Sequence, residues 1–378
     1  MTVGRTGLAL VLNCGSSSVK YRVVDTTKPE PLAAGIIERV KDHTEAIEEI
    51  IASLGAPDSG VDLDDLTVVG HRVVQGGSEF SAPTIITDDV ERHIALLSAL
   101  APLHNPPNLA GIAAARVAFP QIPHVAVFDT AFHHTLPEAA YTYAIDRRVA
   151  ETHGVRRYGF HGTSHAYVSR ETAAAMGRDP RDVNIIVMHL GNGASACAVK
   201  GGRSFDTSMG LTPLEGLVMG TRSGDIDPAV VFHLSRAAGM EISEIDDELN
   251  RRGGMLGLSG HSDMRDVEQA ASDGDASAIL ALEVYTRRIR GYIGEYWAQM
   301  GTLDAIVFTA GVGENSPHVR EMSIAGLEAL GVKIDPDRND GRKREATLVS
   351  ADDSAVQVWV VPTNEEREIA LQAVAAVS

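Results

Sequence analysis

Residues 185–206 of the chain read IIVMHLGNGASACAVKGGRSFD. The apolar run 185–190 is typical of a strand buried on both faces, and the Gly191-Asn192-Gly193 that follows marks a tight turn. Small apolar residues then alternate over 194–199 before a Gly-Gly turn, which predicts a second, antiparallel strand. A dinucleotide-binding Rossmann unit needs a helix at this point, so the loose GxGxxA match does not indicate a nicotinamide-dependent enzyme.

The same pattern occurs near the start of the chain. Leu8–Leu12 is apolar, residues 13–18 are rich in turn-forming types, and Val19–Val24 reads as a second strand. A strand, a tight turn and a strand in two copies are what a duplicated nucleotide-binding core would contain. The sequence therefore predicts an α/β protein with a repeated β-hairpin.

Helices are predicted where apolar residues recur every three or four positions. One helix covers 44–55 with Thr44 as its N-cap, and another covers 109–117 on a face that includes Ala113 and Val117. Further buried strands are predicted at Val125–Phe128, Ile306–Thr309 and Val356–Val361. A helix starts at Ser316-Pro317, and a closing helix follows from Glu365.

Length and charge limit the classes of function. A chain of 378 residues exceeds the usual size of one hydrophobic core, so two domains are expected. The formal net charge is −18, which argues against nucleic acid or anionic lipid as a partner. An anionic substrate would then need a local basic site, and Arg72 and Arg222 stand in segments suited to one.

The cysteine count and the hydropathy pattern favour a cytoplasmic enzyme. Two cysteines, Cys14 and Cys197, cannot form a disulfide framework for a chain this long, which fits a reducing compartment. No stretch approaches the roughly 18 uninterrupted apolar residues of a membrane span. We therefore expect no membrane partner.

Two glycine-containing turns are candidates for binding phosphate. A GxxxxGK[ST] loop is absent, which excludes a P-loop enzyme at the level of the motif. The hairpin turns NCGSSSVK (13–20) and HLGNG (189–193) instead place small residues where backbone N–H groups can approach phosphate oxygens, and Lys20 adds a point charge. Each turn alone is equally compatible with an ordinary connection.

Five more segments carry groups suited to acid–base or phosphoryl chemistry. They contain Arg72 in GHRVVQGG, Asp129 in VFDTAFHHTLP, His161 with His165 in RYGFHGTSH, Arg222 in GTRSGDIDP and Glu365 in PTNEE. Each feature has a structural alternative. Arg72 could be an ordinary surface cation, and Asp129 could cap a helix. The two histidines could be buried packing residues.

Taken together, nine segments resemble the acetate kinase family, which lies within the actin, Hsp70 and sugar-kinase superfamily. In the family's order they are NCGSSSVK, GHRVV, APLHNPPNL, VFDTAFH, YGFHGTSH, HLGNG, GTRSGDIDP, FTAGVGENS and PTNEE, from Asn13 to Glu366. The resemblance covers nearly the whole chain, and YGFHGTSH and GTRSGDIDP are specific to this family. Gln75, His134 and Met188 depart from the family's usual residues, but none is a site position.

The resemblance implies a fold and its boundaries. It implies two duplicated actin-like ATPase domains, with mixed β-sheets flanked by helices and an active-site cleft between the domains. Residues 1–131 plus 367–378 would form the first domain, closed by the C-terminal helix. Residues 132–366 would form the second, which would carry most of the nucleotide site.

The resemblance also implies roles for individual residues. The catalytic residues would be Asp129, His161, Arg222 and Arg72, and Mg²⁺ would be held by Asn13 and Glu365. Arg72 would also bind the substrate carboxylate, and the wall around the substrate methyl group would be Val74, Leu103, Phe160 and Pro213. The ATP site would comprise Ser16, Ser18, Lys20, His189, Leu190, Gly191, Asn192, Gly193, Asp263, Met264, Arg265, Gly311, Val312, Gly313, Glu314 and Asn315.

The implied activity is reversible, Mg²⁺-dependent transfer of the ATP γ-phosphoryl group to acetate, giving acetyl phosphate and ADP. Mn²⁺ is expected to substitute for Mg²⁺, and a homodimer is expected. A carboxylate with an ordinary pKa near 4.3 is already ionised at neutral pH, so direct in-line transfer needs no base. Asp129 would instead orient neighbouring groups or bind a water molecule of Mg²⁺. A propionate or other short-chain carboxylate kinase is the alternative enzyme, and an Hsp70-like nucleotide-driven switch is the alternative outside catalysis.

Overall fold

The computed structural model describes residues 7–378, which divide into two compact units. The first unit runs to His134 and also contains Phe160–Ser164 and Asn364–Ser378, and the second contains Thr135–Gly159 and His165–Thr363. The sequence had placed 160–164 in the second domain. Those residues group with the first unit because the Gly162 N–H donates to the Asp129 carbonyl and the His133 ring contacts the Phe160 carbonyl.

Twelve strands lie within residues 7–378, six in each unit. They are β1 Leu8–Cys14, β2 Ser18–Asp25, β3 Ala33–Glu38, β4 Leu66–Val73, β5 Thr84–Ile85, β6 His124–Phe128, β7 Asn184–Leu190, β8 Ala194–Lys200, β9 Arg203–Thr207, β10 Ala305–Thr309, β11 Thr347–Leu348 and β12 Gln357–Val360. The predicted hairpins are confirmed as β1–β2 and β7–β8–β9, and the predicted buried strands as β6, β10 and β12.

The two sheets have the same topology. The first has strand order β3-β2-β1-β4-β6-β5, and the second, taken in the matching direction, has β9-β8-β7-β10-β12-β11. In each sheet the first three strands are antiparallel, and the third of them (β1 or β7) is also the first of three parallel strands. A short antiparallel strand forms the last edge. The repeated hairpin in the sequence therefore marks a duplicated six-stranded sheet.

Fifteen α-helices lie within the same described residues. They are α1 His43–Leu54, α2 Asp88–Leu96, α3 Asn105–Ala118, α4 Glu138–Tyr141, α5 Arg147–His153, α6 Gly162–Ala175, α7 Ala229–Ala238, α8 Ile242–Arg251, α9 Gly254–Ser259, α10 Met264–Ser272, α11 Ala276–Met300, α12 Ala310–Asn315, α13 Pro317–Ile324, α14 Pro336–Asn339 and α15 Glu365–Val377. No helix of residues 7–378 is long and apolar enough to cross a membrane.

The first sheet is buried on both faces, as its continuous apolar strands predict. Leu10 and Leu12 join a cluster with residues of α1 and α3, whereas Ala9 and Val11 join a cluster with Ile369 and other residues of α15. Because side chains alternate across a strand, β1 contributes to both clusters. The C-terminal helix therefore completes the core of the first unit.

Two helix predictions were wrong in detail. The N-cap of α1 is Asp42, whose carboxylate accepts the Thr44 N–H at 2.7 Å, and Thr44 lies inside the helix. Helix α3 begins at Asn105, before its two prolines, and both Ala113 and Val117 are exposed. A proline in the first turn of a helix loses no hydrogen bond, so the prolines lie inside this helix rather than before it.

Candidate active site

The first unit places an arginine and an aspartate together at one edge of its sheet. Parallel strands β1, β4 and β6 end at this edge, with Arg72 on β4 and Asp129 directly after β6. Arg72 Nε donates to Asp129 Oδ1 at 3.0 Å, and Nη2 donates to Oδ2 at 2.6 Å. The contact is a bidentate pair that fixes the plane of the guanidinium.

Two oxygen-bearing side chains complete this group. Asn13, on β1, has its Oδ1 3.5 Å from Arg72 Nη1, and Glu365, the first residue of α15, has its Oε2 3.8 Å from Arg72 Nε. Asn364 caps this helix by accepting the Arg367 N–H at 3.1 Å. The structure thus brings together both predicted metal ligands and two predicted catalytic residues.

The electrostatics of the group keep the arginine charged. Burial alone lowers the pKa of Arg72, but the negative charges of Asp129 and Glu365 outweigh it, and the pKa rises well above its ordinary value. Burial raises the pKa of Asp129, and the contact with Arg72 opposes that rise. Since both Asp129 oxygens accept from Arg72, its carboxylate serves to orient the guanidinium.

The predicted histidine lies on a turn held against Asp129. His161 has φ +57°, an uncommon backbone conformation for a residue other than glycine. The turn is fixed by the Gly162 N–H, which donates to the Asp129 carbonyl at 2.8 Å. A Cβ on Gly162 would lie 2.2 Å from the Asp129 carbonyl oxygen, so only glycine fits there.

The residues predicted to contact the substrate methyl group differ in exposure. In the first unit Phe160 is buried, Val74 is half-buried and Leu103 is 52% exposed. Pro213 belongs to the second unit and is half-buried. Their role in a methyl pocket remains a prediction.

In the second unit, Arg222 lies in the loop that follows β9. Its Nη1 donates to the Pro213 carbonyl at 2.9 Å and contacts Met219 Sδ at 3.7 Å. Arg222 forms no ion pair in the part of the chain that the structure describes, and burial lowers its pKa. Arg222 is half-buried, and a guanidinium removed from water in this way without a carboxylate favours the binding of an anion.

The Arg222 loop is firmly anchored. Asp225 accepts the Gly216 N–H at 2.7 Å, Arg288 Nη1 at 3.0 Å and the Tyr292 hydroxyl at 2.8 Å. Gly224 has φ +68°, and a Cβ there would lie 2.5 Å from the Leu217 carbonyl oxygen. The loop therefore holds its arginine in one place with little freedom to reach a carboxylate elsewhere.

A cavity of about 630 Å³ lies in the second unit, at the end of β7 and beside α9 to α13. Eight predicted nucleotide-site residues line it: Gly191, Asn192, Asp263, Met264, Arg265, Gly311, Val312 and Asn315. Arg265 is held by two hydrogen bonds to the Asp263 carboxylate, at 2.9 and 2.6 Å. The cavity is within the size range of small-molecule sites.

The other predicted nucleotide residues lie off this cavity. His189, Leu190, Gly193, Gly313 and Glu314 belong to its supporting strand, turn and helix, and Glu314 accepts the Ala310 and Thr363 N–H groups at 2.9 and 3.1 Å. Ser16 lies in the β1–β2 turn of the first unit, where the Gly15 N–H donates to the Ser18 carbonyl at 2.8 Å, and Ser18 and Lys20 lie at the start of strand β2.

Sequence reasoning missed seven residues that line the cavity: Gly220, Met255, Ser262, Glu268, Tyr285, Ser316 and Arg342. Two of them had a usable signal. Gly220 opens the GTRSGDIDP segment, and Ser316 ends FTAGVGENS. Met255, Glu268 and Tyr285 lie on helices whose pattern records only which face is buried, and Arg342 lies in a polar stretch without a motif.

Comparisons of sequence extend the likeness to the full length. The sequence model of the Acetokinase family matches residues 8–42 and 38–371 of the chain. An acetate kinase of Leifsonia xyli subsp. xyli is 58% identical over 391 residues, covering 98% of this chain and 98% of that protein. An acetate kinase of Streptomyces avermitilis is 53% identical, covering 97% of each chain.

Solved structures show the same similarity over the full length of the chain. The crystal structure of Porphyromonas gingivalis acetate kinase matches with a TM-score of 0.94 at 41% identity, covering 98% of this chain and 100% of that one. A propionate kinase from Francisella tularensis matches with a TM-score of 0.91 at 40% identity, covering 97% of this chain and 98% of that one. The match to the family over residues 8–371 and the full-length relatives show that the chain belongs to the acetokinase family.

Proposed function

We propose that the protein is an ATP-dependent acetate kinase, which transfers the γ-phosphoryl group to acetate and gives acetyl phosphate and ADP. The observation that carries the proposal is Arg222, a half-buried guanidinium on an anchored loop with no carboxylate partner among residues 7–378. A transferring phosphoryl group supplies the missing negative charge, spread over three oxygens that suit the planar donor fork. The curated relatives at 48–58% identity are acetate kinases, which supports acetate as the acceptor.

ATP is assigned to the cavity of the second unit. Its backbone at Gly191-Asn192 follows strand β7, and the Gly311–Asn315 helix follows strand β10. Ligands of open α/β sheets bind beyond the carboxyl ends of strands, which is where this turn and this helix lie. Asp263, Met264 and Arg265 are assigned to the adenosine.

The oxygen donors of the first unit fit a magnesium ion. Mg²⁺ usually takes one or two carboxylates together with substrate phosphates and water. Asn13 and Glu365 offer such a sparse set, and residues 7–378 contain no group of three or more His, Cys, Asp or Glu side chains that would form an all-protein site. The metal would neutralise phosphate charge, and Mn²⁺ would substitute for Mg²⁺ in this role.

The remaining residues position the substrate and stabilise the charge of the phosphoryl group. Acetate arrives ionised, so no group has to remove a proton, and Asp129 instead orients Arg72 toward the substrate carboxylate. His161 and Arg222 are assigned to the phosphoryl group in transit. Catalysis of this kind depends on placement and charge, and losing one such arginine typically costs about 10³–10⁵ in rate.

A propionate kinase is the second candidate. The Francisella propionate kinase shares the fold at a TM-score of 0.91, so the scaffold serves either acceptor. Pocket volume around Val74 would then decide, because one methylene in an apolar pocket is worth about 10- to 200-fold in kcat/KM. We expect acetate to be preferred by about tenfold or more.

A homodimer is also proposed. Helix α7 has no buried residue, yet it exposes Val230 and Phe232, and Ile226 and Ile242 flank it with exposed apolar side chains. Several large apolar side chains exposed on and beside one helix are typical of a protein interface. Sedimentation analysis should find a dimer that Phe232→Asp dissociates, and a monomeric parent protein would contradict this.

The cytoplasm is the proposed location. Cys14 and Cys197 are both free and buried, which fits a protein of a reducing compartment. Burial raises the pKa of each thiol to about 12, so neither is reactive as a thiolate.

The test is a steady-state assay of ADP and acetyl phosphate formation with acetate, propionate and butyrate. Arg222→Met should abolish transfer, whereas the control Arg148→Met changes an exposed arginine of the same unit, outside helix α7, and should keep parental activity. Glu365→Ala should raise the Mg²⁺ concentration for half-maximal rate. ATP hydrolysis without an acyl phosphate product would refute the proposal and favour a nucleotide-driven switch.

A further inference from the structure

The backbone ladder between the two strands that carry Asn13 and Arg72 stops just before those residues. The last registered pair of β1 and β4 is Leu12 and His71. Beyond it, a side chain replaces the ladder. Asn108 Nδ2 donates to the Cys14 carbonyl at 2.7 Å, and its Oδ1 accepts the Val74 N–H at 3.1 Å. One carboxamide therefore bridges the two strands where they diverge.

A second asparagine of the same helix makes a related contact. Asn105 Oδ1 accepts the Gln75 N–H at 3.1 Å, and Asn105 Nδ2 donates to the Gln75 carbonyl at 3.0 Å. Asn105 Nδ2 also lies 3.4 Å from the Ile94 carbonyl at the end of α2. This residue ties the end of β4 to α2 and makes no hydrogen bond to β1.

The helix is built to present these two side chains. Asn105 and Asn108 are three residues apart, so they lie on one face of α3, and both are buried. Pro106 and Pro107 occupy first-turn positions, where a missing N–H costs nothing. The APLHNPPNL segment thus delivers two amides to backbone groups that would otherwise be buried without partners.

We propose that Asn108 is a positioning residue, which sets the separation of Asn13 from Arg72 and Val74 at the substrate edge of the sheet. The inference rests on the proposed function, which assigns Asn13 to the metal and Arg72 to the substrate. Cys14 directly follows Asn13 along the chain, and Val74 lies two residues beyond Arg72, so a change in the bridge moves both assigned groups. Asn105 acts on one strand only and provides the comparison.

The experiment compares Asn108→Asp, Asn108→Ala and Asn105→Ala in the full-length protein. Asn108→Asp keeps the size and the acceptor for the Val74 N–H but turns an acceptor toward the Cys14 carbonyl, and its thermal midpoint shows that it is folded under the assay conditions. Each variant is measured for kcat, acetate KM, thermal midpoint and Mn²⁺ binding by electron paramagnetic resonance in the presence of ADP. Mn²⁺ binding does not depend on turnover.

Both Asn108 variants should lower kcat by about 10- to 100-fold, the usual cost of a misplacement near 1 Å, and weaken Mn²⁺ binding several-fold. Asn105→Ala should lower the thermal midpoint and leave Mn²⁺ binding within about twofold, because Asn105 makes no hydrogen bond to β1. The positioning role is wrong if Asn108→Asp keeps parental kcat and Mn²⁺ affinity, or if Asn105→Ala weakens Mn²⁺ binding equally. An inactive parent protein refutes the proposed function instead.

Discussion

Gly220 lines the cavity of the second unit, which we propose binds ATP, at a place where no side chain fits. Its N–H donates to the Asn192 carbonyl at 2.9 Å, and its carbonyl accepts the Leu256 N–H at 2.9 Å. A Cβ on Gly220 would lie 1.9 Å from Asn192 Oδ1 and 3.1 Å from the Ser262 carbonyl oxygen. Gly220→Ala therefore collides with the amide of Asn192, another residue of the cavity.

The size of the effect follows from that collision. Ordinary contact begins near 3.4 Å, so the Asn192 oxygen must move by about 1.5 Å from its 1.9 Å separation. Asn192 is exposed, so its side chain swings away at small cost to folding. Loss of one neutral hydrogen bond to the nucleotide, worth about 0.5–1.5 kcal/mol, would raise the KM for ATP by about 2- to 13-fold. An amide displaced into the cavity would raise it further, toward about 10²-fold.

The assay is a double-mutant cycle on the KM for ATP, with acetate saturating. If Gly220→Ala acts through Asn192, it should have little further effect in an Asn192→Ala background. Gly294→Ala is the matched control, since its Cβ meets nothing within 4 Å in helix α11. An equal rise in KM in both backgrounds, or a KM within twofold of the parent in the single variant, would refute the reasoning.

Three further predictions use other residues. Arg222→Lys keeps the charge but loses the planar fork, so kcat should fall by about 10³-fold or more, and near-parental turnover would contradict the assignment. Val74→Ala should raise the propionate-to-acetate ratio of kcat/KM by about tenfold, whereas an unchanged ratio with a lower thermal midpoint would indicate a packing role. Burial lowers the pKa of both His71 and His124, which contact each other at 2.9 Å, so the unfolded chain takes up protons first as pH falls below about 6.5. The thermal midpoint should therefore drop between pH 7 and 5, and a His71→Leu/His124→Leu double variant should show a shallower slope, measured by calorimetry.

Helix and strand predictions succeeded where the signal is local. The apolar runs that became β7 and β10 are buried along almost their whole length, and the Gly191–Gly193 turn ended β7 where expected, whereas β10 passes directly into helix α12. Boundaries failed where two signals competed. Thr44 has the right chemistry for an N-cap, but Asp42 precedes it and accepts its N–H, which moves the helix start toward the N-terminus.

The site was predicted unevenly for the same reason. Motifs pointed to part of the cavity, because residues of FTAGVGENS and the first residue of GTRSGDIDP line it. They could not identify Tyr285 or Arg342 at the cavity, since nothing within a few residues of either depends on a nucleotide. The bridge made by Asn108 was also invisible, because its partners are 34 and 94 residues away.

The sequence by itself determined the α/β class, the duplicated hairpin and the family, because strand periodicity, glycine turns and motif spacing are properties of neighbouring residues. Only the tertiary structure decided the pairing of Arg72 with Asp129 across 57 residues and the lack of an ion-pair partner for Arg222 among residues 7–378. It also decided that 160–164 belong with the first unit. The reason is physical: backbone preferences act over a few residues, whereas charge pairing, burial and contact depend on which distant segments the packed sheets bring within a few ångströms.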